Sequence, residues 1–354
     1  MTSVLIAGAL PTASKPSVSS ASSSPPTDAP SYDADIIILA MDRVEETLEA
    51  IASALAQDSV RRHVFVFDQG SMPENLERLC EAARGRTDIA VLRAERNFGV
   101  AGGRNRATAL GHGRVIIALD NDAEFADSHT VADAVAHLDQ HQDLAAVGFR
   151  IVVHSTGQED LSSWGYPNAL LPRAGASFET ITFVGAGHAI SRRAWNETGG
   201  YDDGLFFCWE EFDFCLSAIA RGWRIEYAGD LVVRHKVSPD RRFNWTGTRW
   251  FYYMRNRLYI ERKWRSSWLP VAPRAAGYVV KGLRNGLWLQ TARALPAAWR
   301  LAQGVTPTPM PEAGRQYIAR NDAAHRGSLR QRIRKELLSA LPGHGMKNAG
   351  SSVS

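Results

Sequence analysis

The chain has 354 residues, of which 45% are hydrophobic and 9% aromatic, so it can bury a sizeable core and is not an intrinsically disordered protein. Its formal net charge of +4 conceals two parts of opposite sign: residues 231–335 hold 22 Lys and Arg against 4 Asp and Glu, whereas residues 1–230 hold 18 against 32. The three cysteines lack CxxC spacing, so neither a disulfide framework nor a zinc site is predicted, and a reducing, cytoplasmic compartment is expected. The sequence contains no run of about 18 apolar residues, so no membrane-spanning helix is predicted.

The first ordered elements alternate between strand and helix. Residues 1–33 are predicted to be a disordered tail, because Ser, Pro, Ala and Thr dominate Pro11–Ser31. An α/β domain is predicted over residues 34–264, with a mostly parallel sheet joined by right-handed crossovers. Its first five elements are predicted to be strand Ile36–Ala40, helix Val44–Ala56, strand His63–Phe67, helix Pro73–Arg84 and strand Ile89–Leu92.

A glycine-rich segment, ERNFGVAGGRNRA, follows the third strand over Glu95–Ala107 and includes Asn97. It matches neither of the two common phosphate-binding patterns, GxGxxG and GxxxxGK[ST]. Glycines at the start of a helix would let backbone N–H groups approach an anion, and Arg104 would add full positive charge. The alternative interpretation is a tight turn that requires small residues.

The next stretch, RVIIALDNDAEF, predicts a buried strand at Val115–Leu119 that ends in Asp120, Asn121 and Asp122. Ligands of open α/β sheets bind beyond the carboxyl ends of the strands, and Asp68 ends the second strand at the same edge. Carboxylates are ligands suited to Mg²⁺ or Mn²⁺. We therefore expect Asp122, with Asp120 behind it, to hold a metal that binds a diphosphate, the alternative being a polar turn that caps the following helix.

Beyond this turn, glycines recur next to a predicted short helix. Gly185 and Gly187, which flank Ala186 in FVGAGHAI, would allow a ligand to approach the backbone closely. Residues 154–180 have no clear period and are predicted to be loop, with short strands left open as an alternative. The remaining elements here are predicted to be helix Val131–His141, strand Ala145–Val152 and helix Ser191–Thr198.

A second acidic cluster, WEEFDF, contains Glu210, Glu211 and Asp213 at the start of a predicted helix. Acids in a first helical turn ordinarily complement the helix dipole. Three acids among four positions, surrounded by aromatic residues, exceed what capping requires. Burial and mutual repulsion would raise the pKa of a carboxyl group here, as a general base working near neutrality requires.

The basic part of the chain begins after His235, which closes a predicted strand at Leu231–Val233. This histidine could supply an imidazole nitrogen to the metal at Asp122, although a lone histidine is more often a surface or core residue. Residues 265–340 are predicted to be a basic amphipathic helical extension interrupted by Pro296, and residues 341–354 a disordered tail. The extension would lie either on an anionic membrane or on its own domain.

Taken in order, these motifs resemble the inverting family-2 glycosyltransferases of the GT-A fold. The resemblance covers residues 35–263 and rests on the order and spacing of six features rather than on one decisive motif. WEEFDF, the following histidine and the RNR run are especially similar to those of bacterial galactofuranosyl- and rhamnosyltransferases. The features are Asp68, NFGVAGGRN, LDND, FVGAGHAISRRAW with Gly199-Gly200-Tyr201, WEEFDF and His235.

The resemblance implies a role for each matching residue. Asp68 would contact the nucleobase, and Asn97 and Arg104 would also help to bind the donor. Glu211 would be the catalytic base, but the family usually has Asp at this position, so Glu210 and Asp213 stay open as alternatives. The other implied roles are metal and diphosphate binding by Asp120 and Asp122, metal ligation by His235, and a loop near the donor sugar and acceptor at Gly185, Ala186 and Gly187.

The implied substrates are a UDP-, GDP- or dTDP-sugar and an acceptor hydroxyl on a lipid-linked glycan, a polysaccharide or a small metabolite, with Mn²⁺ or Mg²⁺ as cofactor. We expect no nucleic acid partner, and peripheral association with an anionic membrane is one interpretation of the basic part. A sugar-phosphate nucleotidyltransferase is the first alternative, but LAMDRVEE replaces the Gly-rich loop expected after its first strand. The second is a non-catalytic protein that binds a polyanion or a membrane.

Overall fold

The computed structural model describes residues 4–8, 32–236 and 247–328. The strands are β1 Val4–Gly8, β2 Ala34–Ala40, β3 Arg62–Asp68, β4 Ile89–Arg93, β5 Val115–Leu119, β6 Ala123–Phe125, β7 Leu144–Val153, β8 Phe178–Thr180, β9 Gly187–Ser191 and β10 Arg224–His235. The helices are α1 Val44–Leu55, α2 Pro73–Ala82, α3 Gly99–Thr108, α4 Thr130–Gln140, α5 Arg192–Thr198, α6 Glu210–Ile219, α7 Gly247–Lys263, α8 Ala272–Arg284, α9 Trp288–Gln303 and α10 Glu312–Asn321.

Within these ranges, ten strands form one mixed sheet in the order β1-β4-β3-β2-β5-β9-β7-β10-β6, with β8 paired to β10. Strands β4, β3, β2 and β5 are parallel neighbours, as their alternation with helices predicts. In β2, Ala40 is paired with Asp68 and Ile38 with Leu119. Asp68 and Asp120 therefore lie at the same edge of the sheet, as the sequence predicts.

Both faces of the sheet are covered, which explains why the central strands are continuous apolar runs. Ile36 and Ile38 of β2 point into one hydrophobic cluster with residues of α1, α2 and α4. Ile37, between them, points into a second cluster with residues of α5 and α6. The strand alternates between two cores because successive side chains of a strand point to opposite faces.

The C-terminal helices form a further layer with its own hydrophobic cluster. Trp250 and Met254 of α7 are fully buried in it together with Ala294 and Ala298 of α9. The predicted interruption at Pro296 is wrong, because Pro296 lies inside α9. The break instead falls at Gly286, whose φ of +69° suits the end of a helix, while packing of α9 on α7 outweighs the unfavourable proline.

The N-terminal prediction is wrong for Val4–Gly8, which was expected to lie within a disordered tail. This segment pairs antiparallel with β4, and Val4 lies opposite Arg93. Without it, β4 would present an edge of unpaired backbone N–H and C=O groups, so an apolar segment is stabilised there. The other predictions of disorder, for residues 9–31 and 341–354, and the end of the predicted extension, residues 329–340, lie outside the described residues.

Candidate active site

Three potential metal ligands meet at the carboxyl ends of the parallel strands. Asp120 and Asp122 follow β5, and His235 ends β10, where it is paired with Ala123. One oxygen or nitrogen atom from each of the three residues lies within 4.8 Å of the others. Two carboxylates and an imidazole are a donor set suited to a divalent transition metal, so the residues present fit a metal ion. The structure brings together all three predicted metal ligands.

A buried carboxylate that carries no motif in the sequence supports this cluster. Asp160 is 4% exposed, and its Oδ2 lies 3.2 Å from Nδ1 of His235. The opposite ring nitrogen, Nε2, lies 3.2 Å from Oδ1 of Asp122. A carboxylate on the far nitrogen fixes the orientation and tautomer of a histidine that ligates a metal. Asp160 lies in the region predicted to be loop, where no periodicity marks it.

Arg43, directly before α1, is another contact of the metal cluster that sequence patterns do not reveal. Its Nη1 donates to Oδ2 of Asp122 over 2.8 Å. Burial raises the pKa of Asp122, but the hydrogen bond and charge of His235 and the Arg43 guanidinium outweigh it and lower the pKa to about 2. Asp122 is therefore ionised throughout the physiological range, as a metal ligand requires.

Arg104 links the two acidic clusters. This arginine is 4% exposed and lies in α3. Its Nη1 donates to Oε1 of Glu211 over 2.9 Å, and its Nη2 donates to Oδ1 of Asp120 over 2.9 Å and to the Gly185 carbonyl over 2.8 Å. The planar guanidinium holds carboxylates from two distant parts of the sequence in one geometry. Arg104 lies at the predicted site, but its hydrogen bonds are to two protein acids and a backbone carbonyl.

The acids of WEEFDF differ in environment. Burial raises the pKa of Glu211, against the opposing effect of Arg104. Burial raises the pKa of Glu210 well above its ordinary value, with a further contribution from the negative charge of Glu211, and its Oε2 has no hydrogen-bond partner. Asp213 instead accepts from Nζ of Lys263 over 2.6 Å. Of these acids, Glu211 is the one in contact with Arg104, which places it beside Asp120.

The loop at Gly185–Gly187 runs between the two clusters. A Cβ atom on Gly185 would lie 2.6 Å from Oε1 of Glu211, so a side chain here would displace that carboxylate. The Ala186 carbonyl accepts from the backbone N–H of Asp120 over 3.2 Å. Gly187 opens β9 and is paired with Leu119. The predicted loop residues therefore contact both acidic clusters.

The remaining donor-site residues lie at the same edge. Asp68 is fully buried and accepts from Nη1 of Arg93 over 2.5 Å, and its role in nucleobase binding stays a prediction. Oδ1 of Asn97 accepts from the N–H of Gly99 over 2.7 Å, so Asn97 supports the start of α3. Its part in donor binding likewise stays a prediction.

The contacts of the glycine-rich segment favour the alternative interpretation, in which close packing requires small residues, over a loop that binds an anion. Gly102 and Gly103 lie inside α3 rather than in a loop before it. A Cβ atom on Gly103 would lie 2.8 Å from the Gln69 side chain, and one on Gly102 would lie 3.1 Å from Cβ of Phe98. These glycines allow α3 to approach its neighbours closely.

Comparison with known proteins agrees with this geometry. Residues 35–200, which include Asp68, Arg104, Asp120, Asp122 and the Gly185–Gly187 loop, match the family described as Glycosyl transferase family 2. This segment is a family 2 glycosyltransferase domain. The resemblance on which the site residues were assigned is therefore confirmed, whereas Glu211 and His235 lie beyond the matched residues.

The family 2 domain has a relative in bacterial polysaccharide synthesis. The chain is 29% identical over 211 residues to the succinoglycan biosynthesis protein ExoU of Rhizobium meliloti (strain 1021). The match covers 56% of this chain and 60% of ExoU, so the chain spans less than two thirds of the length of this relative.

Solved structures share the fold at low sequence identity. The mannosyltransferase PcManGT from Pyrobaculum calidifontis, in complex with GDP-Man and Mn²⁺, matches with a TM-score of 0.53 and 17% identity, covering 87% of this chain and 85% of that one. GalNAc-T7, with UDP, GalNAc and Mn²⁺, matches with a TM-score of 0.57 and 16% identity, covering 87% of this chain and 57% of that one. These similarities confirm the expected GT-A architecture.

Proposed function

We propose that this protein is a metal-dependent inverting glycosyltransferase that moves a sugar from a nucleotide-diphospho-sugar to an acceptor hydroxyl. The observation that carries the proposal is the bridge from Arg104 to both Asp120 and Glu211. The bridge supports a single site in which Asp120 would help to hold the metal and Glu211 would act as the base, although these two residues lie about ninety positions apart in sequence. Such an arrangement suits displacement at a carbon between a leaving diphosphate and an incoming alcohol.

In this mechanism, Asp120, Asp122 and His235 would hold Mn²⁺ or Mg²⁺, which when bound would stabilise the negative charge of the departing diphosphate. Glu211 accepts the proton of the acceptor hydroxyl. At the same time the hydroxyl oxygen bonds to the anomeric carbon of the donor sugar, and the bond between that carbon and the diphosphate breaks. The raised pKa of Glu211 suits this transfer. Attack opposite to the leaving group inverts the anomeric centre without a covalent intermediate.

Two residues adjust the base without touching the acceptor. The negative charge of Asp120, which is held on the other side of Arg104, adds to burial in raising the pKa of Glu211 and so favours protonation of the base. Arg104 opposes this effect and keeps the Glu211 carboxylate oriented by its hydrogen bond. A carboxylate with a pKa raised by burial and held by an arginine suits a base that takes up a proton during the reaction.

The comparisons support a choice of substrates. PcManGT was solved with GDP-Man and GalNAc-T7 with UDP and GalNAc, which supports a nucleotide-sugar donor for this chain. ExoU is a succinoglycan biosynthesis protein, which supports an acceptor in cell-surface glycan synthesis over a small metabolite. We propose a growing lipid-linked glycan or polysaccharide end as the acceptor, and no nucleic acid partner.

The C-terminal helices support peripheral association with an anionic membrane at its cytoplasmic face. In the described part of the chain, no helix is both long and apolar enough to cross a bilayer. On α8 and α9, Leu283 and Trp288 are 57% and 63% exposed, beside the exposed Arg284. The sequence has no Asp or Glu between Glu261 and Glu312. Exposed apolar residues beside cations fit a helix pair that lies on anionic lipid headgroups.

The enzymatic proposal is tested by a donor screen. Purified protein is incubated with UDP-, GDP- and dTDP-sugars and glycan acceptors, and release of nucleoside diphosphate is measured with Mn²⁺ and with a chelator. We expect metal-dependent release that Asp122→Ala abolishes, and a product of inverted anomeric configuration by NMR. Turnover that requires pyrophosphate would instead identify a nucleotidyltransferase, and salt-dependent polyanion binding without nucleotide binding would identify the non-catalytic alternative.

The membrane proposal is tested by vesicle flotation. We expect the protein to float with vesicles rich in phosphatidylglycerol but not with pure phosphatidylcholine, and to lose binding in the Leu283→Glu variant. Leu161→Glu is the matched control, because Leu161 is 66% exposed and lies outside these helices. Equal flotation of both variants would contradict this surface as the binding site.

A further inference from the structure

The backbone that precedes the proposed base is strained. Phe206, Cys208 and Trp209 have φ angles of 61°, 71° and 75°, in the left-handed region that non-glycine residues rarely adopt. Trp209 is the residue before α6, so it directly precedes Glu210 and Glu211. Three such residues in four positions persist only when surrounding contacts hold them. The segment Leu205–Trp209, here named the base loop, therefore sets where α6 begins.

One buried side chain contacts three carbonyl oxygens of this loop. Asn256 of α7 is fully buried, and its Nδ2 lies 2.9, 2.8 and 2.8 Å from the carbonyl oxygens of Leu205, Phe207 and Cys208. Its Oδ1 accepts from Nε of Arg255 over 2.7 Å, which fixes the side of the amide that carries the donors. The two N–H donors of a single amide are thus shared among the three carbonyls that the strained backbone turns toward α7.

The rest of the same helix reinforces this contact. Nη2 of Arg255 donates to the carbonyls of Gly204 and Leu205 over 2.7 and 2.8 Å. The indole N–H of Trp209 donates to the Tyr253 carbonyl over 3.0 Å. The base loop and α6 are therefore held along the length of α7, which is also anchored in a hydrophobic cluster of its own.

The other side of the base loop contacts the helix that carries Arg104. The Phe206 carbonyl accepts from the N–H of Val100 over 2.6 Å. A Cβ atom on Gly99 would lie 2.1 Å from the same oxygen, so only glycine permits this approach. The base loop thus fills the space between α3 and α7. A shift of this loop would move Glu211 relative to Arg104.

We propose that Asn256 is a positioning residue that holds the base loop in its left-handed conformation and thereby places Glu211 against Arg104. Arg255 supports it by orienting the amide. This inference rests on the proposed function, because Glu211 is taken as the base. It assigns the RNR run a task in catalysis through α6, without contact between Asn256 and either substrate.

The inference is tested with Asn256→Ser, which removes the carbonyl contacts, and Arg255→Lys, a milder change that removes the fixed orientation of the amide. We expect Asn256→Ser to lower kcat about 10- to 100-fold, since misplacement of a catalytic group by about 1 Å has effects of this size. The Kd for nucleoside diphosphate and Mn²⁺ should stay within twofold of the original value. Arg255→Lys should act in the same direction with a smaller loss.

The matched control is Asn321→Ser. Asn321 is a buried asparagine of α10, away from the base loop. Its Nδ2 donates to the Glu179 carboxylate over 2.8 Å. We expect its kcat to be unchanged even if its Tm falls. A kcat of Asn256→Ser equal to that of this control would overturn the inference. If Asn256→Ser does not fold, unchanged kcat in Arg255→Lys would overturn it as well.

Thiol labelling separates this inference from the proposed function. Cys208 lies in the base loop, and burial raises the pKa of its thiol. In a Cys80→Ser background, we expect Asn256→Ser to speed alkylation of Cys208 at least 10-fold, and Asn321→Ser to leave it unchanged. If Asn256→Ser speeds alkylation but the parent protein has no transferase activity, the proposed function is contradicted while the contact between Asn256 and the base loop is supported. Unchanged alkylation in an active enzyme would refute the positioning role.

Discussion

The two acidic clusters of the site are positioned by different means. Asp120 and Asp122 follow β5, whose neighbours on both sides hold it in regular hydrogen-bonded register. Glu211 follows a loop with three left-handed residues, and its position depends on Asn256 and Arg104 from distant helices. A strand end places a ligand through the geometry of the sheet. A strained loop places a base only as well as its supporting contacts allow.

This difference has an energetic side. Each left-handed non-glycine residue costs about 1–3 kcal/mol, so the base loop holds a few kcal/mol of strain that α7 must offset. On the metal side, Asp120 and Asp122 themselves have no left-handed backbone, although Arg43 has a φ of 52°. Instead, Arg43 and His235 hold Asp122 ionised through charge. Substitutions around Glu211 and the base loop should therefore alter kcat. Substitutions around Asp122 and His235 should alter the affinity for the metal.

The largest effect is expected from Glu211→Gln, which removes the proton acceptor while keeping the shape. We expect kcat to fall about 100- to 10,000-fold, the range that general bases contribute, with nucleotide affinity unchanged. Initial-rate assays of sugar transfer measure kcat, and calorimetric titration with nucleoside diphosphate measures nucleotide affinity. Full activity in this variant would move the role of base to Glu210 or Asp213.

Arg104→Lys should break the link between the two sides. Lysine keeps the positive charge but cannot hold Asp120 and Glu211 with one planar group. We expect kcat to fall about 100-fold, because the base loses its alignment. Arg106→Lys is the matched control, since Arg106 is bound to Asp203 rather than to either cluster acid. Equal kinetics of the two variants would argue against the bridge.

Asp160→Asn tests the metal side alone. The neutral amide would weaken the hold on Nδ1 of His235, so we expect Mn²⁺ affinity, measured by electron paramagnetic resonance, to fall about 10- to 100-fold. At saturating Mn²⁺, kcat should recover. Asp230→Asn, at an exposed position, serves as control. A loss of kcat that added metal does not restore would mean that Asp160 acts on the base side as well.

Glu210→Gln should produce the smallest effect, on stability and its pH dependence. Because burial raises the pKa of Glu210, its stabilising contribution is present at pH below its unfolded pKa and is lost as pH rises through its folded pKa. The variant should match the parent near pH 5 and exceed it by about 1–3 kcal/mol at pH 9. Thermal denaturation at both pH values, with the exposed Glu77→Gln as control, measures this difference. A gain independent of pH would contradict a buried charge as the cause.

The regular half of the fold follows from the sequence. Apolar runs of four and five residues, which end before Asp68 and Asp120, predict parallel strands with acids at one edge, because local hydrophobic patterns decide which segments form buried strands. The likeness of the ordered motifs to a known family singled out Glu211 among the three acids and implied metal ligation by His235. The sequence did not reveal Arg43 and Asp160, since each is a single residue without a period, brought to the metal cluster only by folding.

Hydrophobic period and strand-end chemistry, both readable along the chain, determined the α/β class, the candidate metal ligands and the acidic helix start. Tertiary structure alone decided that Arg104 joins the clusters, that Asp213 turns to Lys263, and that Asn256 holds the base loop. The physical reason is the sequence separation of the contacting residues. Hydrophobic periodicity depends on residues that are close in sequence. A buried hydrogen bond between residues fifty to a hundred positions apart depends on how whole elements pack.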